Sequence, residues 1–237
     1  MNDKKSISTV SNVAAFLKQV QQAPKPIKSG GQGEGRLIFA LDATASRQPT
    51  WDMACEIQSE MFIAAASLGG LSLQLCYYKG FKQFFAAPWQ QQSAPLLNLM
   101  SQVKCLGGRT QIERVLRHGL KAAQQEAIHG VVFVGDCMEE NADILCDLAG
   151  QLGLKRVPLF IFQEGHDPVA TRCFNQLAKL SQGAHCQFDQ LSGEGLKALL
   201  QAIAIYASGG RKALGQFGRD KQHLKPLLRQ LRIEQSS

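Results

Sequence analysis

The sequence predicts an α/β fold: a doubly wound, mostly parallel six-stranded sheet with one antiparallel edge strand and helices on both faces, in a Rossmann-like arrangement. Three observations carry this prediction. Short apolar runs such as Leu37–Leu41 and Val131–Val134 are rich in Phe, Ile and Val, and read as strands buried on both faces. Amphipathic stretches alternate with these runs and are bounded by capping residues or glycines. One pair of runs, 71–78 and 81–86, is joined by Lys79-Gly80 and must form a hairpin, which supplies the antiparallel edge.

Ile7, Val10, Val13, Ala14, Leu17 and Val20 recur at helical spacing, so segment 1–22 is an N-terminal amphipathic helix. Segment 23–35, with its prolines and glycines, is a linker. Its glycine run precedes a strand instead of following one, which is the wrong order for a phosphate cradle. The body, 36–208, begins with the strand Arg36–Leu41. Thr50 can cap a helix over Trp51–Leu68, which Gly69-Gly70 ends. After the hairpin, Pro88 stops the second strand and Gln91–Val103 forms a helix. Thr110 with Glu113 matches a capping box opening a helix through Ile128. The strand Val131–Gly135 follows, then a helix capped by Asn141 and running to Leu152, and the strand Arg156–Phe162. Asp167-Pro168 is an N-cap and first-turn pair for a helix to Leu180. The strand Ala184–Phe188 and a helix from Ser192 to Ala207, ended by Gly209-Gly210, complete the body, and 209–237 is a basic tail.

The 237 residues suffice for one domain with a full core. No apolar run approaches the roughly 18 residues of a membrane span, and no secretory signal follows Met1. Seven cysteines without a C-x-x-C pair read as reduced thiols, so a cytoplasmic protein is expected. The net charge of +7 sits at the ends. Residues 1–35 carry five basic side chains against two acidic ones, 36–208 carry fourteen against fifteen, and 209–237 carry seven against two. A near-neutral body argues against a general nucleic-acid surface, and leaves RNA binding through the basic termini as a minor alternative.

The chemistry concentrates where strands end in acids. Asp42 closes the strand Leu37–Leu41, and Thr44 and Ser46 follow at alternate positions. Asp136 closes Val131–Gly135, and between the two a glycine turn presents Thr110. Loops that follow adjacent strands of a doubly wound sheet meet at its switch point. Asp42, Thr44, Ser46, Thr110 and Asp136 can therefore converge there. All five offer oxygen, the donor set of a hard cation such as Mg2+, with Mn2+ and Ca2+ as the other candidates. Thr110 can simply cap its helix, Ser46 can be a turn residue and Asp136 can pair with Arg109. An unpaired acid ending a buried strand, as Asp42 is, still needs a partner.

Asp42-Ala43-Thr44-Ala45-Ser46, then Thr110 after Gly107-Gly108-Arg109, then Asp136 after an apolar strand resembles the metal-ion-dependent adhesion site of von Willebrand factor type A (VWA) domains. The family's first motif is D-x-S-x-S, and Thr44 replaces its middle serine while keeping the hydroxyl. The segment Ala178–His185, followed by a strand and a final helix, is similar to that family's close. The resemblance implies that Thr44, Ser46 and Thr110 touch the metal, that Asp42 and Asp136 act through water, and that a partner protein supplies a Glu or Asp to the vacant position. It implies an interaction module and no enzyme. Arg47, Trp89, Glu139 and His166 are the candidate partner contacts on the rim, and Cys137 is the thiol beside Asp136. The alternative enzyme reading resembles the haloacid dehalogenase class, with Asp42 as nucleophile, Lys121 as charge-stabilising lysine and Asp136 with Glu140 anchoring Mg2+. Phosphatases of that class want an aspartate where Thr44 stands.

Overall fold

The computed structural model describes residues 15–26, 34–188 and 193–220. In chain order these form α1 (15–22), β1 (Gly35–Asp42), α2 (Gln48–Ile57), α3 (Ser59–Ala65), β2 (Leu71–Lys79), β3 (Gln83–Ala86), α4 (Ser93–Ser101), α5 (Ile112–Gln125), β4 (Gly130–Gly135), α6 (Ala142–Leu154), β5 (Leu159–Glu164), α7 (Pro168–Leu180), β6 (Ala184–Phe188) and α8 (Gly193–Asp220). The six strands form one sheet in the order β3-β2-β1-β4-β5-β6. Every pairing is parallel except β2 with β3.

Alternation along the strands sorts the core into two layers. Leu37, Phe39 and Leu41 of β1 face a layer built with α1, α2, α3, α4 and α8, whereas Ile38 and Ala40 face α5, α6 and α7. Both layers are apolar, and β1 between them is buried along nearly its whole length. Asn141 accepts hydrogen bonds from the backbone N–H groups of Asp143 and Ile144 and caps α6; Asp167 does the same for α7 through Ala170.

Several predicted boundaries moved. The strand predicted over 156–162 lies at Leu159–Glu164, because Arg156 turns the chain with φ 59°. The helix predicted from Trp51 to Leu68 is α2 and α3, nearly continuous through Gln58, and it begins before Thr50. Thr50 is therefore an interior helix residue whose hydroxyl is used elsewhere. Residues 7–14 of the predicted N-terminal helix lie outside the described residues. Its described part buries Phe16 and Val20, with Phe16 packed edge-on against Phe160 and tilted against Phe162. Ala23 and Pro24, predicted as linker, are buried, and the Tyr206 hydroxyl donates to the Pro24 carbonyl. Beyond the break at Gly210 (φ 68°, ψ −169°), α8 resumes and returns Leu214 to the core with Phe217 against it. Residues 221–237 of the predicted tail lie outside the described residues.

Phe16 is fully buried between two strand aromatics, so Phe16→Ala is expected to cost about 3–4 kcal/mol of unfolding free energy in urea titration. A cost under about 1 kcal/mol would mean that α1 is not part of the cooperative core.

Candidate functional site at the carboxyl edge of the sheet

The strand order reverses between β1 and β4, which places the switch point there. Register then lines up the strand ends. Leu41 pairs with Val134, Asp42 with Tyr78, and Gly135 with Gln163. Tyr78, Asp42, Asp136 and Glu164 therefore leave four neighbouring strands at the same edge.

Asp42 is 3% exposed. Its Oδ1 accepts the Thr44 backbone N–H at 2.7 Å, and its Oδ2 is buried without a hydrogen-bond partner. Burial pushes its carboxyl up to about 6; the Thr44 hydrogen bonds oppose this and the Asp136 carboxylate adds to it. The Tyr78 hydroxyl lies against the Asp42 carboxylate without a well-aligned hydrogen bond, and its pKa is held well above the phenol value by burial and then by the charge of Asp42. Asp136 takes the Arg47 guanidinium on Oδ2 at 3.2 Å, and its Oδ1 is a further buried, unpartnered oxygen. Thr44 is half-buried and Ser46 is exposed in the loop after β1, where Arg47 Nε donates to Ser46 Oγ at 3.4 Å.

Arg47 is not the exposed rim contact that its loop position predicts. It is 7% exposed because Glu164, an acid buried at the end of β5, binds its Nη1. Glu164 Oε2 also accepts the Thr50 hydroxyl. Asp136 thus pairs with Arg47, not with Arg109, whose side chain is exposed. Glu164 was missed by the sequence reading. The signal was present: it is an acid closing a buried strand, as Asp42 is, once β5 is extended past Phe162.

Thr110 is 5% exposed and does not open α5 by a capping box. The helix starts at Ile112, and its N-cap Gln111 makes no side-chain cap. Glu140 caps it from the next loop, accepting the N–H groups of Ile112 at 2.9 Å and Glu113 at 2.8 Å. Glu139 is exposed yet tied: its Oε2 accepts the Thr110 N–H and its own N–H donates to Thr110 Oγ1, both at 3.1 Å. The loop before Thr110 is fixed on the hairpin turn. Leu106 N–H donates to the Ala43 carbonyl and Arg109 N–H to the Gly80 carbonyl. A Cβ on Gly108 would fall 1.9 Å from Gly80 O, so only glycine fits.

The remaining candidates separate. His166 lies on the β5–α7 loop at the same edge, with an exposed side chain. Trp89 does not join them. Its Nε1 donates to Glu126 at 2.6 Å and the Arg36 guanidinium lies over its ring, which places it at the amino end of β1, opposite Asp42. Cys137 is pushed up to about 12, first by burial and then by Asp136, so its thiol stays protonated. The dehalogenase-like set is not assembled: Glu140 is spent on α5, and Lys121 is exposed toward the far end of that helix.

The donor chemistry fits a hard cation. Two buried carboxylate oxygens lack partners, and hydroxyls lie in the loops beside them. Among the described residues, no group of three or more His, Cys, Asp or Glu side chains could hold a metal. Any ion here would depend on the hydroxyls of Thr44, Ser46 and Thr110 together with the two aspartates.

No family model matches the sequence, and no curated protein matches it. Solved structures do match. The SpRpn10 VWA domain superposes with a TM-score of 0.54 at 10% identity, over 75% of this chain and 97% of that one. An aerotolerance-related membrane protein from Bacteroides fragilis gives 0.55 at 12% identity, over 72% of this chain and 98% of that one. The human coat protein Sec24c gives 0.54 at 12% identity, over 78% of this chain and 32% of that one. The fold is therefore VWA-like. No helix among the described residues is long and apolar enough to cross a membrane.

Asp42 binds its proton more tightly in the folded chain (about 6) than its ordinary value of 3.8, so its contribution is full below about 4 and is lost as pH rises through 6. In metal-free buffer, Asp42→Asn is expected to be more stable than the parent at pH 8, by up to about 3 kcal/mol, with the gain vanishing near pH 4. Urea midpoints that stay equal from pH 4 to 8 would contradict this. Gly108→Ala is expected to cost about 2 kcal/mol or more, whereas Gly107→Ala, whose Cβ meets nothing within 4 Å, stays within about 0.5 kcal/mol.

Proposed function

We propose that this chain is a protein-interaction module that binds a divalent cation, Mg2+ in the first instance, and offers it to an acidic side chain of a partner protein. The single observation that carries this reading is the pair of orphaned oxygens, Asp42 Oδ2 and Asp136 Oδ1. They are buried and unpartnered at the switch point of a VWA-like fold. Asp42, a buried carboxylate without a counter-charge, is costly, and a hard cation between its free oxygen and that of Asp136 would relieve this. Thr44, Ser46 and Thr110 would complete the shell with neutral oxygens. If the two aspartates act through water, as the resemblance implies, neutral hydroxyls dominate the direct shell and the ion keeps charge to draw an incoming carboxylate. The bound ion would supply charge alone. Asp42 and Asp136 would orient the shell, and the anchored loop 106–111 would hold Thr110 at it. His166, on the same edge, is placed to meet the partner. The seven unpaired thiols agree with a reducing, cytoplasmic setting.

Mg2+ is expected to raise the melting temperature of the parent chain in a concentration-dependent way, as binding to the folded state alone requires. Asp42→Ala should remove the rise, and capture of the cognate partner on immobilised protein should need both Mg2+ and Asp42. Partner retained equally by Asp42→Ala and in the presence of a chelator would sink the metal-bridge reading.

A further inference from the structure

The site contains a side chain that the proposed shell does not use. Arg47 sits directly after Ser46 and is buried among acids and hydroxyls. Its fork makes three contacts: Nη1 to Glu164 Oε2, Nη2 to Asp136 Oδ2 at 3.2 Å, and Nε to Ser46 Oγ at 3.4 Å. Glu164 is itself fixed by the Thr50 hydroxyl from α2. The chain Thr50–Glu164–Arg47 therefore ends on two of the five oxygen-bearing side chains assigned to the cation.

We propose that Arg47, clamped by Glu164, is the positioning residue of this site: it holds Asp136 by Oδ2 and Ser46 by Oγ, and so leaves Asp136 Oδ1 for a divalent cation. The inference rests on the cation reading above. Asp136 is only partly buried; Arg47 is its charged partner, and the Cys137 thiol lies against the same carboxylate. Without that partner the carboxylate could rotate both oxygens toward water. With it, Oδ2 is fixed on the guanidinium and Oδ1 stays buried and unpaired. A planar guanidinium can bridge Glu164 and Asp136 together; an ammonium, being a point charge, cannot hold both geometries.

The test is Mn2+ titration into the full chain by calorimetry, for the parent, Arg47→Lys and the charge-balanced double variant Arg47→Met with Glu164→Gln. The double variant removes the fully buried Arg47–Glu164 pair as a unit and leaves only the partly exposed Asp136 without its cation. Both variants are expected to bind Mn2+ about tenfold more weakly, the usual scale for losing an outer-shell partner of a metal ligand, with metal-free urea midpoints close to the parent. If Arg47 acted only as a nearby positive charge, Arg47→Lys would match the parent; that result, or equal or tighter binding in the double variant, overturns the relay. Should the double variant not fold, Arg47→Lys alone decides. Failure of the parent to bind Mn2+ overturns the cation reading and the relay with it, whereas equal binding by all three chains overturns the relay alone.

Discussion

Carboxylates at the ends of buried parallel strands are the constraint from which the rest of this edge follows. Asp42 and Glu164 are each at most 5% exposed, and Asp136 joins them across the register of β1, β4 and β5. Buried charges need partners, and three acids within one edge repel one another as well. Among the described residues, the buried cation at this edge is Arg47, which reaches Asp136 and Glu164. Burial raises the proton affinity of Asp42, and the Thr44 backbone N–H with the Thr44 and Tyr78 hydroxyls offsets this only in part. A sheet edge arranged for stability alone would pair Asp42 or replace it. On the proposed reading, a desolvated acid with a free oxygen is what a ligand site costs the fold.

The hairpin and the two loops on the far side hold this edge still. Ala43 N–H donates to the Tyr78 carbonyl, Leu106 N–H to the Ala43 carbonyl, and Gln111 Nε2 to the carbonyls of Lys79 and Gly80. The loop after β1, the turn after β2 and the loop before α5 therefore form one hydrogen-bonded unit, with Gly108 pressed on Gly80. Thr110 is placed by this unit and by Glu139, with no cap of its own helix involved. The antiparallel strand β3 thus has a local purpose, since its turn is the platform on which the Thr110 loop rests.

Most of the architecture was legible because buried strands announce themselves as short apolar runs, and Asn141 and Asp167 as caps. That Asp42 and Asp136 share one edge was legible for the same reason: each closes an apolar strand, and the topology makes those strands neighbours. What escaped the sequence was long-range pairing. The contact of Arg47 with Glu164 spans 117 positions and that of Thr110 with Glu139 spans 29, and no local pattern encodes either. A hydroxyl three residues before a glutamate looks like a capping box at Thr110, yet Glu140 from another loop satisfies that helix start better. Trp89 looked like a rim contact because its type is common at interfaces; the hairpin carries it instead to the amino end of the sheet.

The reciprocal bonds between Thr110 and Glu139 bear on whether one residue can both brace a loop and serve a cation. A hydroxyl has one proton and two lone pairs. Thr110 Oγ1 spends one lone pair on the Glu139 N–H, and the bond from its own N–H to Glu139 uses no side-chain atom. One lone pair and the hydroxyl proton remain, enough to ligate an ion and still donate. Bracing and ligation are therefore compatible at Thr110, whereas Glu139, whose carboxylate is tied to Thr110 N–H, is less available to a partner than its exposure suggests. The acidic field at this rim is structural first. Any incoming carboxylate has to be drawn past Glu139 by a charge larger than Arg47 alone provides, since Arg47 is already shared between two acids. On the proposed reading, a divalent ion would meet that requirement.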